Sequence, residues 1–374
     1  MSFCKIAAVA MLTALVSPVS GAMAHDSPDH AFEAARVNTM QEATLAFLAS
    51  LDVEQRAKAT TSLDDNVART SWSNLPLSMA PRAGVAIKEM TGEQRRAFHA
   101  MMAAAFSSQG YLKTTTIFWH EDVLHSIVAD FLASMPDDDP RKSQGLQFLE
   151  NYDSELFFVS VFGDPNSRNW GWTVTGHHYA ANFTVADGKI AFMPLFLGAN
   201  PQVIPSGKYA GWRILQHEAD RAFALLDTLD ESQMRTAVVA EEVDAVVFAG
   251  PGKQPEGDAP VGIKASELTP LQRRLLRGVI DEYLADASDE AALRQREAIA
   301  QDGMDALHFA WWGPTDDPAA RYMFRVHGPS ILIDYVRERS ADGGYNHVHS
   351  IARDPSNDYG SEWLKLHYEE AHQE

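Results

Sequence analysis

The chain repeats itself. Leu51-Asp52-Val53-Glu54-Gln55 returns 178 residues later as Leu229-Asp230-Glu231-Ser232-Gln233. At the same spacing, Met90-Thr91-Gly92-Glu93-Gln94-Arg95-Arg96 returns as Leu268-Thr269-Pro270-Leu271-Gln272-Arg273-Arg274, and Gly84-Val85 as Gly262-Ile263. Three matches in one register point to two copies of one structural unit that share a core. The competing explanation is a coincidence of common helix starts.

The second match has a local cause. Thr91 to Gln94 and Thr269 to Gln272 each read as a capping box, with Thr as N-cap and Gln at the third helical position. Pro270 stands where its missing N–H is harmless. Amphipathic helices are predicted over about 91–107 and 269–285. Strand-like sequence follows at a shifted spacing. Trp170-Gly171-Trp172-Thr173-Val174-Thr175-Gly176 aligns with Tyr322-Met323-Phe324-Arg325-Val326-His327-Gly328, both with alternating aromatic residues. Turns at Asp187-Gly188 and Asp342-Gly343 lead into another strand. Further helices are predicted near 212–228 and 360–371.

The expected fold is therefore α+β: an internally duplicated helix-pair plus antiparallel β-meander unit. Its halves, residues 25–210 and 211–374, would pack about a pseudo-twofold axis as one compact domain. Ala249 to Pro260 reads as an exposed Pro/Gly-rich loop.

The first 24 residues follow another grammar. Lys5, an apolar run from Ile6 to Val16 and the small-residue end Ala22-Met23-Ala24 form the pattern of a secretory signal peptide. The run is about 11 residues, too short for a membrane anchor of ~18–20. A periplasmic or secreted protein is expected. Cleavage would remove Cys4, the only cysteine, so neither disulfides nor thiolate ligands are available afterwards. Any metal site must use His, Asp and Glu. The formal net charge of −20 disfavours nucleic acid and anionic lipid.

A set of ordered motifs spans most of the chain. They include Gly110-Tyr111, Phe162-Gly163-Asp164-Pro165, Gly176-His177-His178, Gly198-Ala199-Asn200-Pro201 and His327-Gly328-Pro329. Asn346-His347-Val348-His349, Arg353-Asp354-Pro355 and Leu366-His367-Tyr368 close the series. Together they resemble the exported domain-of-unknown-function family 3500. That resemblance implies a shared architecture and carries no established activity.

The chemistry rests on histidines. On a strand, His347 and His349 project to one face, so both imidazoles can address one point. His327 precedes the Gly328-Pro329 turn, and His177-His178 occupies the matching hairpin of the first half. Adjacent strand residues face opposite ways, so one of the pair is expected at the site, with His178 favoured. In the repeat alignment His327 falls on Thr175, His347 on Phe192 and His349 on Pro194, so one copy alone carries these histidines. Each also has a bland reading as a packing residue. Asp334 could complete the site as a carboxylate ligand, orient an imidazole from behind or act as a base, or it could be an exposed strand residue. Arg353 and Asp354 are candidates for substrate binding and proton transfer, or for a loop-fixing pair.

Two other signals are set aside. His120-Glu121 with His125 has one residue too many for the zinc-protease helix, because positions i and i+5 lie about 140° apart. They read instead as part of a buried helix from Phe118 to Phe131, with both histidines on its flank. His25, the expected mature N-terminus, sits on a terminal arm.

The leading expectation is an exported metalloprotein acting as a metal-dependent hydrolase. His178, His327, His347 and His349 would hold a divalent metal, zinc ahead of copper or iron. Asp334, Arg353 and Asp354 would act on a small-molecule or extracellular substrate. The alternatives are a non-catalytic periplasmic binding protein for a small polar ligand, a copper or iron oxidoreductase, and a plain scaffold.

Overall fold

The computed structural model describes residues 29–243, 250–252, 259–340 and 343–371. The signal-peptide segment, His25, Asp342 and most of the Pro/Gly-rich loop lie outside these residues. Among the described residues no helix is long and apolar enough to cross a membrane.

The class is α+β. One large sheet carries eight principal strands. The first four are β1 (Phe157–Phe162), β2 (Asn169–Gly176), β3 (Tyr179–Ala186) and β4 (Leu195–Ala199). The others are β5 (His308–Trp312), β6 (Met323–Gly328), β7 (Ile331–Glu338) and β8 (His347–Arg353). Their spatial order is β1-β2-β3-β4-β8-β7-β6-β5, with Thr60–Thr61 beyond β1 and Val238–Ala240 beyond β5. Two antiparallel meanders therefore meet at the β4–β8 ladder, which pairs Ala199 with Val348 and Leu195 with Ala352.

Helices cover one face. Trp172 stacks on Phe183 at 4.6 Å and Phe106 meets Phe183 edge-on at 5.0 Å. In the second meander Phe324 stacks on Tyr335 at 5.1 Å. The other face holds a smaller cluster with Trp72, Phe196, Met323, Val336, Ile351 and Tyr359. With both faces covered, the strands are buried along nearly their whole length and lose the polar–apolar alternation of a half-exposed sheet.

Both expected capping boxes are present, ahead of helices Gly92–Ala105 and Pro270–Leu284. Each is locked to a second box at Asp52–Gln55 or Asp230–Gln233. The Gln94 amide donates to Gln55 (2.6 Å) and to the Ser50 carbonyl (3.0 Å), while Gln55 donates to the Glu89 carbonyl (2.7 Å). Gln272 donates to Gln233 (2.8 Å) and the Thr228 carbonyl (2.7 Å), and Gln233 to the Glu267 carbonyl (2.9 Å). The four glutamines thus cap their own helices and tie together elements far apart in sequence.

The long helix Ser108–Ser134 joins the two runs. A Cβ on Gly110 would lie 1.9 Å from the Asp286 carbonyl oxygen, so only glycine permits this approach. One turn on, the Lys113 ammonium lies 2.7 Å from Glu218, 2.9 Å from Asp286 and 3.5 Å from Glu282. The helix was expected to be buried through Phe131. Instead Phe131 and Trp119 face outward, and His120 turns inward rather than lying on the flank.

Candidate metal centre

His177 and His178 form the tight turn between β2 and β3, and His178 has φ 62°. Left-handed backbone is uncommon for a residue with a side chain and concentrates at functional sites. Strand alternation does not govern a turn, so both rings point the same way, 3.6 Å apart. Both bind one carboxylate. His177 Nδ1 lies 2.8 Å from Glu121 Oε2, and His178 Nδ1 lies 3.1 Å from Glu121 Oε1. Glu121 comes from the long helix, on the buried stripe with Thr114, Ile117 and Leu124, and is 1% exposed.

β8 supplies the other rings. His347 and His349 project from the same face, as their spacing dictates. His347 Nε2 lies 3.0 Å from His178 Nε2 and 3.0 Å from His349 Nε2. The three ligand atoms all fall within 4.8 Å of one another. Gly198 makes this possible. It pairs with His349 across the β4–β8 ladder, and a Cβ there would lie 3.0 Å from both the His178 and the His349 Cδ2.

The far nitrogens determine what the near ones can do. Glu121 accepts from His178 Nδ1, and Glu338 Oε2 lies 3.4 Å from His349 Nδ1. The Arg339 backbone hydrogen-bonds His347 and favours its protonated form. A neutral imidazole has one N–H, so acceptors at the far side leave a lone pair on Nε2. Three lone pairs then converge. Burial, together with the neighbouring histidines, holds His178 and His347 well below the ordinary imidazole pKa, so protonation does not relieve the crowding. A cation does. Zinc–nitrogen bonds of about 2.0–2.1 Å at tetrahedral angles need ligand atoms roughly 3.3 Å apart, close to the spacing present. Oriented outer acceptors are also what metal-bound histidines ordinarily have.

The remaining expected site residues lie elsewhere. His327 pairs with Leu332, which pairs with Arg353, whereas His349 pairs with Val336. Four residues along β7 separate the rows, roughly 13 Å at strand rise. His327 is therefore not a ligand of this centre. Asp334 is neither a base nor exposed: it is fully buried in a bidentate pair with Arg325, at 2.6 and 2.9 Å. Arg353 binds Asp358 at 2.6 Å rather than Asp354. Asp354 accepts from Ser356 (2.6 Å) and Gln295 (3.1 Å) and fixes the loop after β8. His120 bonds the Pro201 carbonyl at 2.7 Å, and His125 is absent from the metal-competent groups.

Glu121, Glu338 and Gly198 were missed. The first had a signal: it falls on the apolar seam of its helix, where an acid needs a partner. β3 pairs Ala186 with Lys189, and β7 pairs Glu338 with His347.

A family model described as Protein of unknown function (DUF3500) matches residues 33–361. No curated protein and no solved structure matches the chain.

Proposed function

Because the chain belongs to the DUF3500 family, which brings no activity with it, we propose from its own residues that it is an exported, metal-dependent hydrolase. The carrying observation is the convergence of the ring nitrogens of His178, His347 and His349. Neutral imidazoles without thiolates suit zinc ahead of copper or iron. A zinc ion with three histidine ligands keeps a fourth position open and lowers the pKa of water there. Glu121 and Glu338 orient the ligands. Both Glu121 oxygens are taken by histidines, whereas Glu338 Oε1 is buried without a hydrogen-bond partner. Asp334 and Asp354 are dropped as bases, since Asp334 pairs with Arg325 and Asp354 fixes the loop after β8. Export rests on the N-terminal sequence pattern.

Elemental analysis of untagged protein, beside the His347→Ala/His349→Ala double variant, tests this reading. About one equivalent of zinc, lost in the variant, supports it. Copper or iron in its place would redirect the chemistry to oxidation. No metal after incubation with all three would overturn it.

We also propose that residues 25–210 and 211–374 are copies of one unit about a pseudo-twofold axis, following a leader of residues 1–24. Supporting this, the glutamine-locked boxes recur at a spacing of 178. Val85 pairs with Val159 as Ile263 pairs with Phe309. Two contacts would straddle the axis: the β4–β8 ladder and the Phe106–Ala287 bridge.

A further inference from the structure

Between the long helix and the loop after β4 the surface folds into a cleft of about 640 Å³, within the ~300–1,000 Å³ range of small-molecule sites. One wall is the outer face of the long helix, where Trp119, Val123 and Ile127 follow at helical spacing and end on Asp130. The other wall is the loop after β4. Two hydrogen bonds close it, Ile204 N–H to the Trp212 carbonyl (3.0 Å) and Gly211 N–H to the Ile204 carbonyl (2.9 Å). It presents Ser206, Lys208, Tyr209 and Trp212.

Three large aromatic rings face water here: Trp119 is 58% exposed, Tyr209 42% and Trp212 41%. The core does not need them. Tyr209 and Trp212 stand 5.8 Å apart at 54°, and the Lys208 ammonium caps Tyr209 at 4.9 Å. Both walls are anchored to the residues that build the metal centre. On the helix, His120 lines the cleft while its neighbour Glu121 holds His177 and His178. The loop is clamped by Asn346, next to His347: its carbonyl accepts from Gln202 N–H (2.7 Å), and its side chain exchanges two 2.9 Å bonds with the Val203 backbone.

We infer that this cleft binds a neutral saccharide. A sugar ring has apolar C–H faces and a rim of hydroxyls. Exposed aromatic rings on both walls match the first, and a carboxylate, a hydroxyl and an ammonium in the lining match the second. A purely apolar ligand would leave Asp130 and Lys208 facing hydrocarbon. A nucleic acid would meet a chain of net charge −20.

The inference does not depend on the metal, so the test uses chelator-stripped full-length protein. Trp119 and Trp212 are the exposed tryptophans among the described residues, which makes intrinsic fluorescence a local reporter. Titration with cellohexaose, maltohexaose and chitohexaose should give a saturable change with at least one of them. Trp119→Ala and Trp212→Ala should each weaken that binding about tenfold, the worth of one good aromatic contact. Both residues are exposed, so circular dichroism and the melting temperature should stay unchanged. No saturable change with any of the three sugars would overturn the inference. So would a change that survives in the double variant.

Discussion

Glu121→Gln is the sharpest probe of the centre. The substitution keeps the volume of a side chain that is 1% exposed but replaces one acceptor oxygen with an NH₂ donor. Glu121 serves His177 at 2.8 Å and His178 at 3.1 Å, and an amide can keep its oxygen on only one of them. With the oxygen on His178, the ligand tautomer survives but the negative charge behind it is gone. With the nitrogen there, the proton of His178 moves to Nε2 and that ligand is lost. Removing an outer-shell partner of this kind costs about 10–100-fold in metal affinity, or about 1.4–2.7 kcal/mol. Zinc competition against a chromogenic chelator at pH 7.5 measures it directly. The rise in melting temperature produced by saturating zinc should shrink in step, because the linked stabilisation follows the dissociation constant. Zinc affinity within threefold of wild type, in a folded variant, would refute the tautomer argument.

Gly198→Ala places a methyl 3.0 Å from two imidazole carbons, so zinc affinity should fall about tenfold in the same assay while the fold persists. His327→Ala should leave metal stoichiometry unchanged by elemental analysis, since its row lies four residues from that of His349. Lys113→Met removes the cation shared by Glu218, Glu282 and Asp286, where burial already lifts the Asp286 carboxyl to about 6. Urea denaturation should show a loss of about 3–5 kcal/mol, as expected when a buried pair is broken from one side. Acid should weaken the centre in a defined direction. His178 and His347 are held below their unfolded pKa, so only the unfolded chain takes up their protons as pH drops below about 6.5. Metal-free stability should then fall by up to about 1.4 kcal/mol per pH unit for each histidine, seen as a dropping melting temperature. Asp286 and Asp358, raised to about 6, oppose this trend, so the comparison is with a His178→Gln/His347→Gln variant that keeps them. An equal pH profile from 7.5 to 5 in the two proteins would contradict the assigned burial.

Features encoded within a few residues were legible in the sequence. The capping boxes at Thr91 and Thr269 and the shared face of His347 and His349 depend on spacing alone. What failed depended on register and distance. Placing His327 required knowing that β6 meets β8 through β7, and which residue of β7 it opposes. Asp334 looked like an outward strand position because its partner Arg325 lies on another strand. Alternation misjudged His177 and His178 because the pair is the turn itself. Glu121 reaches its histidines across more than fifty positions of chain, and nothing local to it names them.

His178 and His347 meet across 169 positions of sequence. The centre is therefore a late product of synthesis: no ribosome-bound fragment ending before residue 347 contains it, however well its earlier strands fold. Any ion it took would be chosen where and when the two meanders close. A chain threaded unfolded through a membrane would arrive with this choice still open, and the free-metal pool of the receiving compartment would make it. The same polypeptide refolded in the cytoplasm and beyond it is then expected to carry different ions, with no change in a single ligand.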